Sequence, residues 1–422
     1  MSKRFFFAVV MSVALLAACG GGGGSSNNVS GASSQSSLAS STPGATSNVA
    51  NQSATSNVAN QIQVQVGPSQ YGDRNMLMAS VTICVPGTTT CTTIDNVQVD
   101  TGSYGLRLFS SAIGGLPLPR TTAQAGGTLA TCAAFGSGTA WGAVATADVK
   151  LAGEVASAVP IQIIGDSAVG TSPTSCTNQG IGDLNTPTLL GANGLLGVGL
   201  ESQDCGDGCA ANAYVHPVYY GCTSATNCVS SKAAIAQQVT NPVSLFATDN
   251  NGVSIQLPAV PATGQSSVTG TLTFGIGTQS NNVLGAATVY TTSAASADQP
   301  LSVNTQYKGT TYHSFFDSGS NGIFFDDSTI AQCVDGSGFF CPASTLSLSA
   351  TMSGTNNASV TLDFSVANAQ SMVDNYEYAM NSFDGYNVGV FDWGLGFFYG
   401  RTVFTAIDGR STPGGSGPYF AF

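Results

Sequence analysis

One short signature appears twice in this chain and restricts its fold more than any other feature. Asp100-Thr101-Gly102-Ser103-Tyr104-Gly105-Leu106 recurs as Asp317-Ser318-Gly319-Ser320-Asn321-Gly322-Ile323, and Asp-[Ser/Thr]-Gly occurs nowhere else in the sequence. Each copy follows an apolar strand-like run, Val97-Gln98-Val99 or Phe315-Phe316, and leads into another, Leu106-Arg107-Leu108-Phe109 or Ile323-Phe324-Phe325. Duplicated lobes, each offering one carboxylate to a shared cleft, are the simplest reading. Two carboxylates a few ångströms apart cannot both ionise easily, so they share a proton: one serves as base on a water, the other as acid. A gap of roughly 6 Å or more between carboxyl oxygens, well beyond hydrogen-bond reach, excludes that chemistry.

The composition fits such a chain. Its 422 residues exceed the usual single-core size, and 42% hydrophobic content supplies apolar side chains for two lobes. With only 8% charged residues and 52 Gly, an all-β, turn-rich fold is expected. The formal net charge of −12 argues against nucleic acid or an anionic membrane surface as partner. His216 and His313 are the only histidines, so histidine-dependent chemistry is poorly supplied.

Of eleven cysteines, Cys19 stands apart and ten lie between Cys84 and Cys341. An even set in an exported chain reads as disulfides. The close pairs are Cys84/Cys91, Cys205/Cys209, Cys222/Cys228 and Cys333/Cys341, which leaves Cys132 with Cys176. Sequence alone leaves other connectivities open, and zinc is the weaker alternative because flanking histidines are missing. Calcium at Asp204, Asp207 or Asp249-Asn250-Asn251-Gly252 is weighed against ordinary turn chemistry, which such loops usually represent.

The N-terminus reads as an export signal over residues 1–18. Ser2-Lys3-Arg4 is basic, an apolar run too short for a membrane span follows, and Leu16-Ala17-Ala18-Cys19 resembles the bacterial lipobox. Cys19 is then lipidated, and Gly20 after it favours the outer membrane of the cell envelope; a plain secretory signal is the alternative. Residues 19–61 are Gly, Ser, Asn and Ala with a direct repeat at Ala45 and Ala54, expected to form a flexible tether. From residue 62 strand-like runs continue to the C-terminus, including 62–66, 76–84, 158–164, 270–274 and 358–364. One helix is expected at 231–239, stopped by Asn241-Pro242.

Over residues 62–422 the chain resembles the pepsin-like aspartic peptidases, in a bacterial lipoprotein form. Besides the two signatures, Phe135-Gly136-Ser137-Gly138 with Gly142 and Asp148-Val149 resembles that family's flap hairpin. Asn193-Gly194-Leu195-Leu196-Gly197-Val198-Gly199 resembles the strand pairing beneath the first signature, and residues 393–408 resemble its counterpart near the C-terminus. Asn241-Pro242-Val243-Ser244-Leu245-Phe246 resembles the crossover into the second lobe.

The resemblance implies a bilobal fold, with lobes at 62–244 and 245–422, and an endopeptidase acting as a monomer on peptide or unfolded protein. Asp100 and Asp317 are the implied catalytic pair. Gly102 and Gly319 keep the carboxylates approachable, while Thr101, Ser103, Ser318 and Ser320 donate hydrogen bonds that hold them coplanar. Phe135, Gly136, Ser137, Gly138 and Trp141 are the implied flap and substrate contacts. No cofactor and no metal is implied. Two departures stand out: Phe135 replaces the family's usual flap Tyr, and Arg107 replaces a Trp after the first signature. They favour a weakly active or inactive binding protein as the alternative. A serine hydrolase using His313 and a signature serine is the third reading, and residues 201–230 read as an insertion narrowing the cleft.

Overall fold

The computed structural model describes residues 58, 60–177, 181–212, 214, 216–293 and 301–422. The signal segment, Cys19 and the tether up to residue 57 lie outside these. The fold is all-β, with helices of at most six residues among the described elements. The runs at 62–66, 76–84, 158–164, 270–274 and 358–364 each fall largely within a strand: Gln61–Val66, Met78–Cys84, Glu154–Ile164, Val268–Phe274 and Ser359–Val366.

Alternation explains why these segments pair as they do. In Met78–Cys84, for example, Ala79, Val81 and Ile83 point inward while the intervening residues are half-buried. Met78–Cys84 pairs with Cys91–Asp100 on one side and with Gly138–Leu151 on the other. That second pairing closes six strands of the large sheet into a barrel-like ring. Gln61–Val66 pairs antiparallel over six residues with Val268–Phe274, so one sheet carries strands from both ends of the chain. A second sheet of seven strands holds the other signature.

The same local arrangement occurs around both signatures. Cys91–Asp100 runs parallel to Gly194–Val198, which runs antiparallel to Tyr104–Phe109. Thr310–Phe316 runs parallel to Val390–Trp393, which runs antiparallel to Phe324–Phe325. The strand matching Gly194–Val198 is therefore Val390–Trp393, whereas Leu395–Phe398, inside the expected stretch, is a 3₁₀ turn. The cores beneath differ. Val97, Val99, Leu106, Leu196 and Val198 are aliphatic, while Phe316, Phe391, Trp393 and Phe397 pack rings at centroid distances such as 4.6 Å (Phe391 to Trp393). Burying each such side chain contributes about 1.5–3 kcal/mol.

The expected helix at 231–239 shrinks to a 3₁₀ turn at Ile235–Gln237. Tertiary hydrogen bonds claim its polar groups: the Tyr219 hydroxyl accepts from Val239 N at 2.8 Å, and Gln238 donates to the Gly206 and Ala233 carbonyls. The five disulfides join Cys84–Cys91, Cys132–Cys176, Cys205–Cys209, Cys222–Cys228 and Cys333–Cys341, the nearest-neighbour pairing. The acidic turn at Asp249 is a staple, accepting from Thr278 and Gln279. Among the described residues no helix is long and apolar enough to cross a membrane.

Candidate functional site

Asp100 is the last residue of its strand, and Asp317 follows directly on Thr310–Phe316, so both enter the turn made by the signature glycine. The hydrogen bonds of the two turns match atom for atom. Gly102 N donates to Asp100 Oδ1 at 2.7 Å, and Gly319 N to Asp317 Oδ1 at 2.7 Å. Ser103 Oγ donates to Asp100 Oδ2, and Ser320 Oγ to Asp317 Oδ2 at 2.9 Å.

Thr101 and Ser318 have a different task from the one expected. They bind the opposite turn rather than a carboxylate, because both side chains point down into the core. Thr101 Oγ1 donates to the Phe316 carbonyl at 2.8 Å and accepts from Ser318 N at 2.9 Å. Ser318 Oγ donates to the Val99 carbonyl at 2.9 Å and accepts from Thr101 N at 3.2 Å. Four buried bonds thus lock the two turns face to face.

The carboxyl groups face each other across this lock, each packed against the glycine of the opposite turn. A Cβ on Gly102 would lie 2.5 Å from Asp317 Cγ, and one on Gly319 2.6 Å from Asp100 Cγ. Only glycine permits that approach. Burial, then the charge of Asp317, raise Asp100 well above the usual 3.8, against the pull of Ser103 and Gly102.

The pair lies in a cavity of about 290 Å³. The hairpin formed by Thr128–Phe135 and Gly138–Leu151 reaches over it, with Phe135 opposite Gly138 and Gly136-Ser137 as the turn; Phe135, Gly136 and Ser137 line the cavity. Trp141 does not. It is buried behind the hairpin against Tyr220 at a centroid distance of 5.2 Å, and its indole N–H donates to the Val169 and Gly170 carbonyls. His313 is engaged with Ser302 at 3.2 Å, while Ser103 and Ser320 give their hydroxyls to the aspartates, which removes the basis of the serine-hydrolase reading.

Several contacts around the pair escaped the sequence reading. Gln98 Nε2 donates to the Gly319 carbonyl at 2.7 Å, a further tie between the turns. Arg107 is 4% exposed and pairs with Asp204, whose other oxygen accepts from the Tyr219 hydroxyl at 2.7 Å. Arg107 and Asp204 border a second cavity of about 280 Å³ beside Ser103, which the 201–230 segment also lines through Tyr214 and His216. Asp392 lines the first cavity. Its only sequence signal is its place two residues before Gly394, matching Leu195 before Gly197. Among the described residues no cluster of His, Cys, Asp and Glu assembles a metal site.

Asp384 gives a pH-dependent stability. It is fully buried, accepts from Ile323 N at 2.8 Å and leaves Oδ2 without a partner among the described residues. Burial raises it well above 3.8, so the folded chain holds a proton that the unfolded chain releases once pH passes the ordinary carboxylate range. Stability is therefore full below that range and is lost as pH rises towards the folded pKa. The melting temperature is expected to fall from pH 5 to pH 8, and Asp384→Asn to flatten that slope; equal slopes in both proteins would contradict the assignment.

Fold and site together define an all-β protein with two matching turns set carboxyl to carboxyl. The chain belongs to the family described as Protein of unknown function (DUF3443), which matches residues 54–422. No curated protein matches it.

Proposed function

We propose that this chain is an aspartic endopeptidase of bilobal, pepsin-like architecture. The observation that carries the reading is the close approach of Asp100 and Asp317 across the two glycine turns, in a hairpin-covered cavity. A water held between the carboxyls loses a proton to the ionised one and attacks a peptide carbonyl that the protonated one polarises. The protonated carboxyl gives its proton to the carbonyl oxygen, forming a gem-diol; on collapse it takes a hydroxyl proton back while the first carboxyl protonates the leaving nitrogen, so no covalent intermediate forms. The substrate is an extended segment of peptide or unfolded protein, positioned between the hairpin tip and the pair. The chain acts as a monomer without a cofactor.

The test is cleavage of denatured protein across pH 3 to 7, with and without a pepstatin-type inhibitor. Inhibitable cleavage supports the reading. A second reading, a binding protein of low activity, draws on Phe135, which lacks a flap hydroxyl, and on Arg107, committed to Asp204. Inhibitor binding without cleavage selects that alternative.

The anchoring belongs to the same proposal. Lipidated at Cys19, the protein sits on the outer membrane of the cell envelope. Cys19→Ala is expected to abolish palmitate incorporation and move essentially all of the protein from the membrane to the soluble fraction. Unchanged labelling would exclude lipidation at that position.

A further inference from the structure

The two signature repeats are alike in register but differ in residues that line the cavity. In the first, Gln98 stands opposite Leu195 and Asp100 opposite Gly197. In the second, Phe315 stands opposite Asp392, so a carboxylate occupies the place that a leucine holds in the first. Leu195 and Asp392 both line the cavity of the aspartate pair.

Asp392 is 2% exposed, and its Oδ1 has no hydrogen-bond partner among the described residues. A buried acceptor left unpaired is destabilising, and leucine at this position would avoid that cost. Asn387 repeats the pattern. It is 2% exposed, its amide oxygen also lacks a partner, and it follows the strand Gly385–Tyr386, which pairs with Phe324–Phe325 beside Asp392. Met76, Leu184, Leu189, Leu190 and Leu195 also line the cavity. Asp73 adds a further carboxyl, and none of the described lining residues is Lys, Arg or His. The lining thus combines apolar groups with acceptors that need donors.

We propose that the part of the cavity lined by Asp392 is a subsite for a cationic side chain, lysine or arginine, next to the scissile bond, with Asp392 as its counter-ion and Asn387 as a second acceptor. This rests on the peptidase reading and names the substrate class of that site. Burial, then the charge of Asp317, raise the Asp392 carboxyl well above 3.8, and an incoming ammonium or guanidinium counters both. The substrate favoured combines a basic side chain with apolar ones around the cleaved bond.

The experiment is calorimetric binding, at pH 5, of paired statine-core peptides that differ only in lysine or norleucine at each position flanking the statine. The purified wild-type chain is expected to bind the lysine peptide at least tenfold more tightly at one of those positions. Asp392→Leu, which copies Leu195, is expected to abolish or reverse that preference while still binding the norleucine peptide, and Asp392→Asn to weaken it. Equal wild-type affinity for both peptides at every position, or a lysine preference that survives both substitutions, overturns the subsite and leaves the peptidase reading intact. Failure of every peptide to bind the wild-type chain overturns both.

Discussion

Asp100→Asn and Asp317→Asn are each expected to lower peptide cleavage by about 10²–10⁴-fold or more, the usual worth of positioned acid–base assistance. Either amide keeps the shape of the side chain and can still accept at Oδ1 from the glycine N–H, Gly102 in one turn and Gly319 in the other. What it removes is the single shared proton. The four bonds through Thr101 and Ser318 do not involve the carboxylates, so the turns remain locked and the variants fold. Circular dichroism should be unchanged while steady-state cleavage collapses. The pH profile adds a second readout. Because Asp100 is held well above the usual carboxylate value, the one-proton state extends upward in pH, and wild-type activity falls as pH rises through that raised pKa. Cleavage at wild-type rates by either variant would remove the dyad from the mechanism.

Arg107→Leu is expected to destabilise the fold by about 3–5 kcal/mol, the range found when one partner of a buried ion pair is deleted. Arg107 and Asp204 have side chains 4% and 7% exposed, so solvent screens them little. Removing the guanidinium strands Asp204 with only the Tyr219 hydroxyl, and it frees Gln162, which accepts from Arg107 Nη1 at 2.7 Å. Gln162 also donates to the Thr131 and Ala140 carbonyls, one on each strand of the hairpin, so substrate binding should weaken as well. Burial already raises Asp204 despite Arg107, and without Arg107 its neutral form is favoured further. The cost is then smaller near pH 5, where Asp204 can take a proton, and larger near pH 8. Urea denaturation at the two pH values measures it, and the double variant Arg107→Leu/Asp204→Leu should recover most of the loss. A single variant as stable as wild type would show the pair to be energetically idle.

Local patterns were legible because they act over a few residues. Alternation in runs such as Gln61–Val66, glycine in the two turns, and cysteines close in sequence all report on contacts that the nearby chain makes for itself. Where local pattern competed with tertiary demand, it lost: 231–239 has helical composition, yet Tyr219 and Gly206 claim its polar groups. Trp141 lies on the hairpin strand but faces Tyr220, because which side of a strand meets a cavity depends on what packs behind it.

By itself the sequence determined a β-rich body, a repeated Asp-[Ser/Thr]-Gly turn and the strands that flank it. Only the tertiary structure decided that the two turns interlock through Thr101 and Ser318, that Arg107 answers Asp204, and that Asp392 stands where Leu195 does. The interlock joins residues more than two hundred positions apart, and Arg107 and Asp204 are ninety-seven apart. Contacts at such separations form only when whole sheets are packed, and no period-two pattern or turn preference encodes them.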